Sequence, residues 1–265
     1  MQAIAFDVRT VNVMRYVVPL REGGSLPAIA EADDGFMYVV KFKGAGQGKK
    51  ALIAELIGGL LAKTLGLKVP EIVFANLDAA FGRTEPDEEI QDLLKSSTGL
   101  NMALHYLSGA VTFDAAVTGV DEMLASKIMW LDCFICNVDR TARNTNMLVW
   151  NRELWLIDHG ASLYFHHAWQ SFLKNAERSF EQVKDHVLLK YASRLEDVDA
   201  LFHTILNDAI IDAIVELIPS AWLEENDSDE TPEIKRNIYA QFLKARLAAS
   251  AIFIKEAIHA RKTII

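Results

Sequence analysis

The stretch of residues 137–160, NVDRTARNTNMLVWNRELWLIDHG, restricts the possible folds of this chain more than any other. Within it, a short polar turn separates two apolar runs, residues 147–150 and 154–157, and this alternation predicts a β-hairpin. Three polar side chains border the hairpin: Asp139 and Asn144 precede it, and Asp158 follows it directly. The sequence therefore predicts a hairpin with an Asp and an Asn at its mouth and a second Asp at its exit.

An Asp–Asn–Asp set of this kind suits phosphoryl transfer from a nucleotide. In that reaction one carboxylate orients the attacking group, while an Asn and a second carboxylate hold magnesium against the phosphates. Mg²⁺ is a hard ion that takes oxygen ligands, usually one or two carboxylates together with water and phosphate oxygens. Asp and Asn are also common in turns, so each of the three residues has a structural alternative. The set becomes strongly indicative only if a nucleotide-binding half lies upstream.

The composition of the chain is that of an ordinary globular protein of one or two domains. It has 265 residues, of which 51% are hydrophobic and 24% are charged. The formal net charge of −9 argues against nucleic acid as a main partner. The N-terminus has no charged leader before an apolar core, and charged residues interrupt each apolar stretch before about 18 residues. We therefore expect a cytoplasmic protein with no signal peptide and no membrane partner.

Residues 1–108 are predicted to form a β-rich half. Strands are expected over residues 4–18, 26–30, 36–42, 69–77 and 100–107, and helices over residues 51–65 and 84–97. Gly23, Gly24 and Ser25 form a turn whose amide groups could fold over phosphates, with a plain hairpin turn as the alternative. The glycine-rich basic loop of residues 43–50 lacks the Walker spacing, so we interpret it as a flexible connection.

Lys41 and Glu55 are the charged residues that stand out in this half. Lys41 lies inside the apolar strand of residues 36–42, where its side chain is either solvated at an edge or turned into a pocket. Glu55 lies in the apolar middle of the helix of residues 51–65. A buried carboxylate without a cation is costly, and Lys41 on the preceding strand is its natural partner. The alternative is an exposed helical Glu.

From residue 111 onward the chain is predicted to be helical apart from the hairpin. Helices are expected over residues 121–136, 176–191, 195–218 and 232–262. Cys133 and Cys136 form a Cys-x-x-Cys pair with a possible redox role. Because both lie in an apolar helix, we favour small buried hydrophobic residues. His166 and His167 have a metal-binding interpretation, and we favour packing or surface positions for them.

The residues Lys41, Glu55, Asp139, Asn144 and Asp158 follow one another in that order. This arrangement resembles the protein-kinase-like fold, in which a strand Lys pairs with a helix Glu and an Asp-x-x-x-x-Asn loop precedes Asp-Phe-Gly. Here the loop begins Asn-Val-Asp-Arg, and the last motif is Asp-His-Gly. With the Gly-Gly-Ser-Leu-Pro turn and the loop of residues 42–50, these details make the chain similar to compact bacterial HipA-like kinases over roughly residues 8–190.

The resemblance implies an α+β, bilobal fold of the protein-kinase type. Its β-rich N-lobe, residues 1–108, would bind the nucleotide, and its helical C-lobe, residues 109–265, would carry the catalytic loop and the metal-binding Asp. ATP and Mg²⁺ are the implied cofactors. The glycine turn of residues 23–25 would contact the nucleotide, and the base would bond to the backbone of His105, Tyr106 and Leu107.

The resemblance also implies a role for each polar motif residue. Lys41 would hold the α- and β-phosphates with Glu55 positioning it, Asp139 would orient the acceptor hydroxyl and accept its proton, and Asn144 and Asp158 would bind Mg²⁺. Secondary candidates are Asn146 as a polar contact, Arg140 and Arg143 as phosphate or structural contacts, and Ser162, Ser171 and Ser179 as autophosphorylation sites. His159 stands at the Phe position and would leave the metal carboxylate untouched.

The leading hypothesis is a HipA-like Ser/Thr protein kinase that transfers the γ-phosphate of ATP to a hydroxyl group. The alternatives are a small-molecule kinase and a nucleotide-binding pseudokinase scaffold. An α+β interaction protein without catalysis would require the five motif residues to occur in order by coincidence. HipA toxins carry an added N-terminal subdomain and work with a DNA-binding antitoxin. This chain begins almost directly at the nucleotide half, so the resemblance by itself does not imply a toxin role.

Overall fold

The N-terminal region is β-rich and forms a closed barrel with the strand order β1-β2-β3-β5-β4. The computed structural model describes residues 6–20, 26–46, 48–81, 86–224 and 230–264. The barrel strands are β1 (Thr10–Pro19), β2 (Ala28–Ala32), β3 (Met37–Lys41), β4 (Ile72–Leu77) and β5 (Gly99–His105). Strands β1 and β4 pair in parallel, whereas the other neighbours are antiparallel. The parallel pair therefore closes the barrel.

Strand β3 alternates between the inside of the barrel and the rest of the molecule. Tyr38 and Val40 are buried in the hydrophobic cluster that fills the barrel. Val39 and Lys41 are partly buried on the opposite face, as the period of a strand requires. The predicted alternation is confirmed, and it turns the Lys41 side chain away from the barrel interior.

Helix α1 (Gly48–Thr64) lies between the barrel and the helical region. Each residue from 52 to 62 is buried, including Glu55. A helix that is apolar on all sides is stable only when it is covered on all sides. Its buried residues belong to the larger hydrophobic cluster, which also contains most of the buried residues of the C-terminal region. Helix α1 therefore belongs to both halves of the molecule.

The C-terminal region is helical around a small sheet. After α2 (Glu88–Ser96) and the barrel, the described helices are α3 (Glu122–Ile135), α4 (Phe172–Ala176), α5 (Leu195–Ile205), α6 (Asp208–Glu216), α7 (Ser220–Leu223), α8 (Pro232–Ala248) and α9 (Ser250–Lys262). The small sheet has the order β6-β7-β8, from β6 (Val111–Thr112), β7 (Met147–Trp150) and β8 (Glu153–Leu156). Within the described residues, no helix is long and apolar enough to cross a membrane.

The hairpin predicted around residues 147–157 is confirmed as β7 and β8. Asn151 and Arg152 join the strands, and both have positive φ values, 50° and 63°. Two consecutive left-handed residues are typical of the tight turn that matches the twist of a hairpin. The turn keeps the two strands in register, with Met147 opposite Leu156. The hairpin ends directly before the segment that contains Asp158.

Helix α3 ends immediately before the Asp139 loop. At its start, the Asp121 side chain accepts hydrogen bonds from the amides of the first turn. At its end, Cys136 adopts a left-handed conformation with φ 56°, which stops the helix.

Cys133 is a buried free thiol, and burial raises its pKa above the ordinary value. A raised thiol pKa disfavours the reactive thiolate, which supports the structural interpretation of Cys133.

The helix predicted over residues 176–191 is wrong. The chain there leaves α4 and forms short 3₁₀ helices at Glu181–Asp185 and Leu189–Tyr191. The amide of Val187 donates to the carbonyl of Arg140 at 3.1 Å rather than to a helical neighbour. A tertiary hydrogen bond has therefore replaced the local one that the pattern suggested.

The helices predicted over residues 195–218 and 232–262 are each divided. The first divides at Asn207, whose side chain accepts from the amide of Ile210 at 3.1 Å and so caps α6. The second divides at Ala249, between α8 and α9. Asn is a strong helix-capping residue, so residue 207 can begin a new helix. The prediction missed this division because the apolar periodicity continues across Asn207.

Arg246 is a buried residue of α8 whose side chain hydrogen-bonds to the C-terminal end of α3. Its guanidinium donates to the carbonyls of Cys133 (2.8 Å) and Phe134 (3.3 Å) in the last turn of α3. It also donates to the carbonyls of Ala176 (3.1 Å), the last residue of α4, and Arg178 (2.5 Å), which follows α4. A cation at a helix C-terminus is favourable because the backbone dipoles point negative charge there.

We expect Arg246→Met to lower the free energy of unfolding by about 3 kcal/mol, because charge-assisted hydrogen bonds are lost and buried carbonyls stay unpaired. Lys244→Met on the same helix removes only surface ion pairs with Asp212 and Asp208, so we expect a loss of less than about 1 kcal/mol. Urea unfolding of both variants measures the difference. Equal losses would contradict the fastening role of Arg246.

Candidate active site

The ion pair predicted between Lys41 and Glu55 is present in the structure. The Lys41 Nζ atom lies 2.7 Å from Glu55 Oε2. The Glu55 side chain is 1% exposed and the Lys41 side chain is 14% exposed. Burial would raise the pKa of Glu55, but Lys41 and His159 hold it well below its usual range. The carboxylate is therefore kept ionised inside the protein by its partners.

Lys41 also binds Asp158, the residue at the exit of the hairpin. Its Nζ atom lies 2.7 Å from Asp158 Oδ1. Burial would lower the pKa of Lys41, yet the carboxylates of Asp158 and Glu55 raise it above the ordinary value. Asp158 has a left-handed backbone with φ 54°, and its side chain is 43% exposed. One ammonium group thus joins the barrel, helix α1 and the hairpin.

These residues line a cleft at the start of α1. Lys41, Asp158 and Gly160 face Gly48 and Ala51 across a small space that is partly open to solvent. The backbone dipoles of a helix favour negative charge at its N-terminus. The cleft therefore combines an ammonium group, a carboxylate and a helix N-terminus.

His159 packs against Glu55 and against the backbone of α1. Its amide donates to Glu55 Oε2 at 2.7 Å, and its Nδ1 atom lies 3.7 Å from Glu55 Oε1. Among the described residues, neither ring nitrogen of His159 has a hydrogen-bond partner. A Cβ atom at Gly58 would lie 2.6 Å from His159 Cβ, so only glycine fits there. The residue at the Phe position is thus buried against α1, where it contacts Glu55 and Gly58.

Asp139 and Asn144 form a second group. The Asn144 amide donates to Asp139 Oδ2 at 2.7 Å, and the Asn146 amide approaches the same oxygen at 3.2 Å. The amide of Asp139 itself donates to the side chain of Asn137 at 3.1 Å. Asn146, ranked below Asn144 from the sequence, therefore contacts the same carboxylate oxygen.

Arg140 is structural rather than a phosphate contact. It is buried, and its Nε atom lies 2.6 Å from Asp132 Oδ2. Its Nη1 atom donates to the carbonyl of Asn146 and, at 3.5 Å, to that of Ile157, the residue before Asp158. The structure thus connects the Asp139 group to the Asp158 group through one guanidinium. Arg143, the other candidate, is exposed.

Asp132 is the residue of this site that the sequence interpretation missed. It is fully buried in α3 and is the partner of Arg140. Burial opposes its ionisation, but Arg140 and His186 hold its pKa well below the usual range. The signal was present, since a single carboxylate stands in the apolar run Trp-Leu-Asp-Cys-Phe. The rule that pointed from Glu55 to a buried cation applies equally here.

The segment predicted to hold the nucleotide base is partly engaged within the protein. The amide of His105 donates to the carbonyl of Glu71 at 2.9 Å, and that of Tyr106 donates to Met37 at 2.8 Å. For the Leu107 amide, the described part of the chain provides no acceptor. The predicted contacts at Gly23, Gly24 and Ser25 lie outside the described residues.

The first part of the glycine-rich loop is anchored, not a loose connection as expected. The amide of Lys43 donates to the buried side chain of Asn101 at 2.9 Å. The amide of Gly44 donates to Ser97 Oγ at 3.1 Å. A Cβ atom at Gly44 would lie 2.2 Å from Ser96 Oγ, so glycine permits this close approach. The loop is therefore fixed to the end of α2 before it enters α1.

The residues after Gly160 include His166, which is buried against Tyr239. Its Nδ1 atom lies 3.1 Å from the Tyr239 hydroxyl. Burial, with His167 and Lys50 nearby, lowers the pKa of His166 to about 3.

In the described ranges, no group of three or more His, Cys, Asp or Glu side chains could hold a metal. Ser162 is 2% exposed, whereas the other candidate phosphorylation sites are exposed.

Oxygen donors at Asp158 and Asn144 fit a magnesium ion. A carboxylate and an amide oxygen are hard ligands, and neither group is buried. Mg²⁺ usually keeps several waters and binds through one or two carboxylates and the phosphates of its nucleotide. A small protein ligand set is therefore what a nucleotide-bound magnesium requires.

The comparisons with known proteins identify the class. The model of the HipA-like kinase family matches residues 13–251, so the chain belongs to the HipA-like kinase family and is a kinase. Its fold is similar to the crystal structure of the Helicobacter pylori proinflammatory kinase CtkA, with a TM-score of 0.54 at 13% identity. That match covers 98% of this chain and 100% of the CtkA chain. No curated protein sequence matches.

Gly58→Ala should disturb the active site, whereas Gly59→Ala should be tolerated. Each change gains about 1 kcal/mol of helix propensity. At Gly58 the new Cβ would meet His159 Cβ, which is attached to the backbone; at Gly59 it would meet Cδ1 of Ile72, the end of a flexible side chain. We expect Gly58→Ala to lower the free energy of unfolding by about 1–3 kcal/mol. Urea unfolding should show no comparable loss for Gly59→Ala; the reverse order would refute the proposed packing.

His166 should make the protein less stable in acid. Its pKa is depressed in the folded state, so its contribution is complete above the unfolded pKa of 6.5 and is lost as the pH falls toward about 3. Relative to His166→Gln, the wild type should lose about 1.4 kcal/mol per pH unit between pH 6 and 4. Urea titrations at several pH values measure these slopes. His259→Gln, at an exposed position in α9, should keep a slope near that of the wild type.

Proposed function

We propose that this protein is an ATP- and Mg²⁺-dependent kinase that phosphorylates Ser or Thr hydroxyl groups of a protein. The observation that carries the proposal is Lys41, which binds Glu55 and Asp158 at 2.7 Å each in a cleft at the start of α1. The second group, Asp139 with Asn144, is connected to it through Arg140. Membership of the HipA-like kinase family supports the same chemistry.

Lys41 would hold the α- and β-phosphates of ATP. Its raised pKa keeps the ammonium group charged, and Glu55 orients it from a helix that is buried on all sides. Nucleotide binding would place phosphate oxygens where Lys41 now meets Asp158. The Asp158 carboxylate would then be available for the metal ion. On nucleotide binding, Lys41 would thus replace its contact with Asp158 by one with the phosphates, and Asp158 would replace its contact with Lys41 by one with Mg²⁺.

Asp158 and Asn144 would hold Mg²⁺, which neutralises charge on the β- and γ-phosphates when bound. Asp139 would orient the acceptor hydroxyl and take its proton as the oxygen attacks the γ-phosphorus. The hydrogen bond from Asn144 to Asp139 at 2.7 Å supports this assignment, because it brings the two side chains together. The Leu107 amide is the donor that we assign to the base, since the amides of His105 and Tyr106 are engaged.

We place the boundary between the nucleotide-binding lobe, residues 1–108, and the helical lobe, residues 109–265, after β5. Hydrogen bonding to the barrel ends at Tyr106, whose amide donates to Met37 of β3, and β6 pairs with the hairpin strand β7. A cytoplasmic location fits the proposal, because ATP and reduced thiols occur there. The motif residues that contact one another support catalysis over a non-catalytic scaffold.

Asp158→Asn should abolish the Mg²⁺-dependent part of ATP binding. A ligand that binds only the native state stabilises it by about 2.7 kcal/mol at 100 times its Kd. In a thermal-shift titration, we expect ATP with Mg²⁺ to raise the Tm of the wild type more than ATP alone. Asp158→Asn should remove that difference. Asp212→Asn, which alters a surface carboxylate on α6, should retain it.

Asp139→Asn should keep the thermal shift but lower phosphate transfer by about 10²–10⁴-fold, the range of a lost general base. Transfer is measured with γ-labelled ATP and a library of Ser-, Thr- and Tyr-containing peptides. Labelling of Ser and Thr peptides would support a protein hydroxyl as the acceptor. Transfer only to small alcohols would indicate a small-molecule kinase instead. A wild type that millimolar ATP does not stabilise would rule out the proposed function.

A further inference from the structure

The buried Asp132 carboxylate gathers side chains from separate parts of the chain. Its Oδ1 atom accepts from Asn137 Nδ2 at 2.9 Å, and its Oδ2 atom accepts from Arg140 Nε at 2.6 Å. The third partner is distant in sequence: His186 Nε2 lies 3.0 Å from Oδ2. Both the Asp132 and Arg140 side chains are fully buried. A buried charge of this kind needs each of its hydrogen bonds, because water cannot replace them.

Two of these partners hold the backbone of the proposed active site. Asn137 accepts from the amide of Asp139 at 3.1 Å, which sets the start of the catalytic loop. Arg140 donates to the carbonyls of Asn146 and Ile157, on the two chain segments that flank the hairpin. Asp132 therefore acts on both Asp139 and the segment before Asp158 without contacting either side chain.

His186 connects the long segment after Gly160 to the same carboxylate. Its Nδ1 atom accepts from the amide of Leu188 at 3.0 Å, so the proton of the neutral ring is on Nε2 and is donated to Asp132. Its backbone pairs with Thr141 in an isolated β-bridge. The next amide, of Val187, donates to the carbonyl of Arg140 at 3.1 Å. The segment is thus bound to the catalytic loop through both side chain and backbone.

We propose that His186 is a positioning residue for phosphoryl transfer: by donating to Asp132, it fixes Arg140 and Asn137, and through them the backbone at Asp139 and before Asp158. This inference rests on the proposed function of those two residues. Without the hydrogen bond from His186, only Asn137 and Arg140 would bond to the Asp132 carboxylate. The Arg140 guanidinium could then shift along the carboxylate. Shifts of about 1 Å in a catalytic group cost on the order of 10²-fold in rate.

Two conservative variants separate positioning from a purely local role of His186. In His186→Gln, the longer amide can reach Asp132 with an N–H group, as Nε2 does. In His186→Asn, the shorter amide can still accept from Leu188 but cannot reach Asp132. Positioning through Asp132 predicts that the Gln variant keeps the wild-type rate and the Asn variant does not. A local turn role predicts the opposite order.

We expect kcat to fall by about 10–100-fold in His186→Asn, with the KM for ATP within about twofold of the wild type. His186→Gln should recover most of kcat. Urea unfolding is measured in parallel, so that rates are compared between folded proteins. Equal kcat values for the two variants, or a higher kcat for His186→Asn, would overturn the inference.

Amide hydrogen exchange tests the positioning role of His186 independently of the proposed function. His186→Asn should speed exchange of the amides in residues 137–146, while His186→Gln should leave them protected and strands β4 and β5 should be unchanged in both. If the wild type transfers no phosphate, the proposed function fails, and this exchange pattern still tests the positioning network. Unchanged exchange at residues 137–146 in His186→Asn would overturn it.

Discussion

The charge on Glu55 is the constraint on which the rest of the structure depends. Helix α1 is buried from residue 52 to residue 62, and an ionised carboxylate in such a place needs a cation. Lys41 supplies it from the barrel, and the same ammonium reaches Asp158 at the end of the hairpin. The barrel, the central helix and the helical region therefore meet at one ion pair network. A nucleotide that takes over the Lys41–Asp158 contact would act on all three at once.

Asp132 repeats the same physical solution on the other side of the site. It is a second carboxylate in an apolar helix, and Arg140 and His186 neutralise and hydrogen-bond it. The two buried carboxylates divide the work. Glu55 orients Lys41, which would touch the nucleotide, whereas Asp132 holds Asn137 and through it the backbone of Asp139, which we propose as the acceptor-side residue. Such buried polar networks tolerate little change, because removing one partner leaves a charge unpaired in the interior.

Much of the fold could be predicted from the sequence where local pattern and environment agree. The strands of the barrel, the buried helix α1 and the hairpin β7–β8 have short-range signals that the tertiary structure does not oppose. The prediction of a helix over residues 176–191 was wrong because the amide of Val187 bonds to Arg140, more than forty positions away in the chain. Periodicity reports only which residues are apolar, so it cannot detect a hydrogen bond that a distant loop provides. The same limit hid the role of His186.

The sequence by itself determined the order of the chemical groups, and it favoured a Lys41–Glu55 pair over an exposed Glu55, because a carboxylate in an apolar helix has few possible cations near it. It also determined that Asp139, Asn144 and Asp158 border one hairpin, since the turn chemistry and the two apolar runs are local. Only the tertiary structure decided that Arg140 is buried on Asp132 rather than exposed to a phosphate. It alone decided that Lys41 binds Asp158 as well as Glu55. These outcomes depend on which helices pack together, and packing is a property of the whole chain.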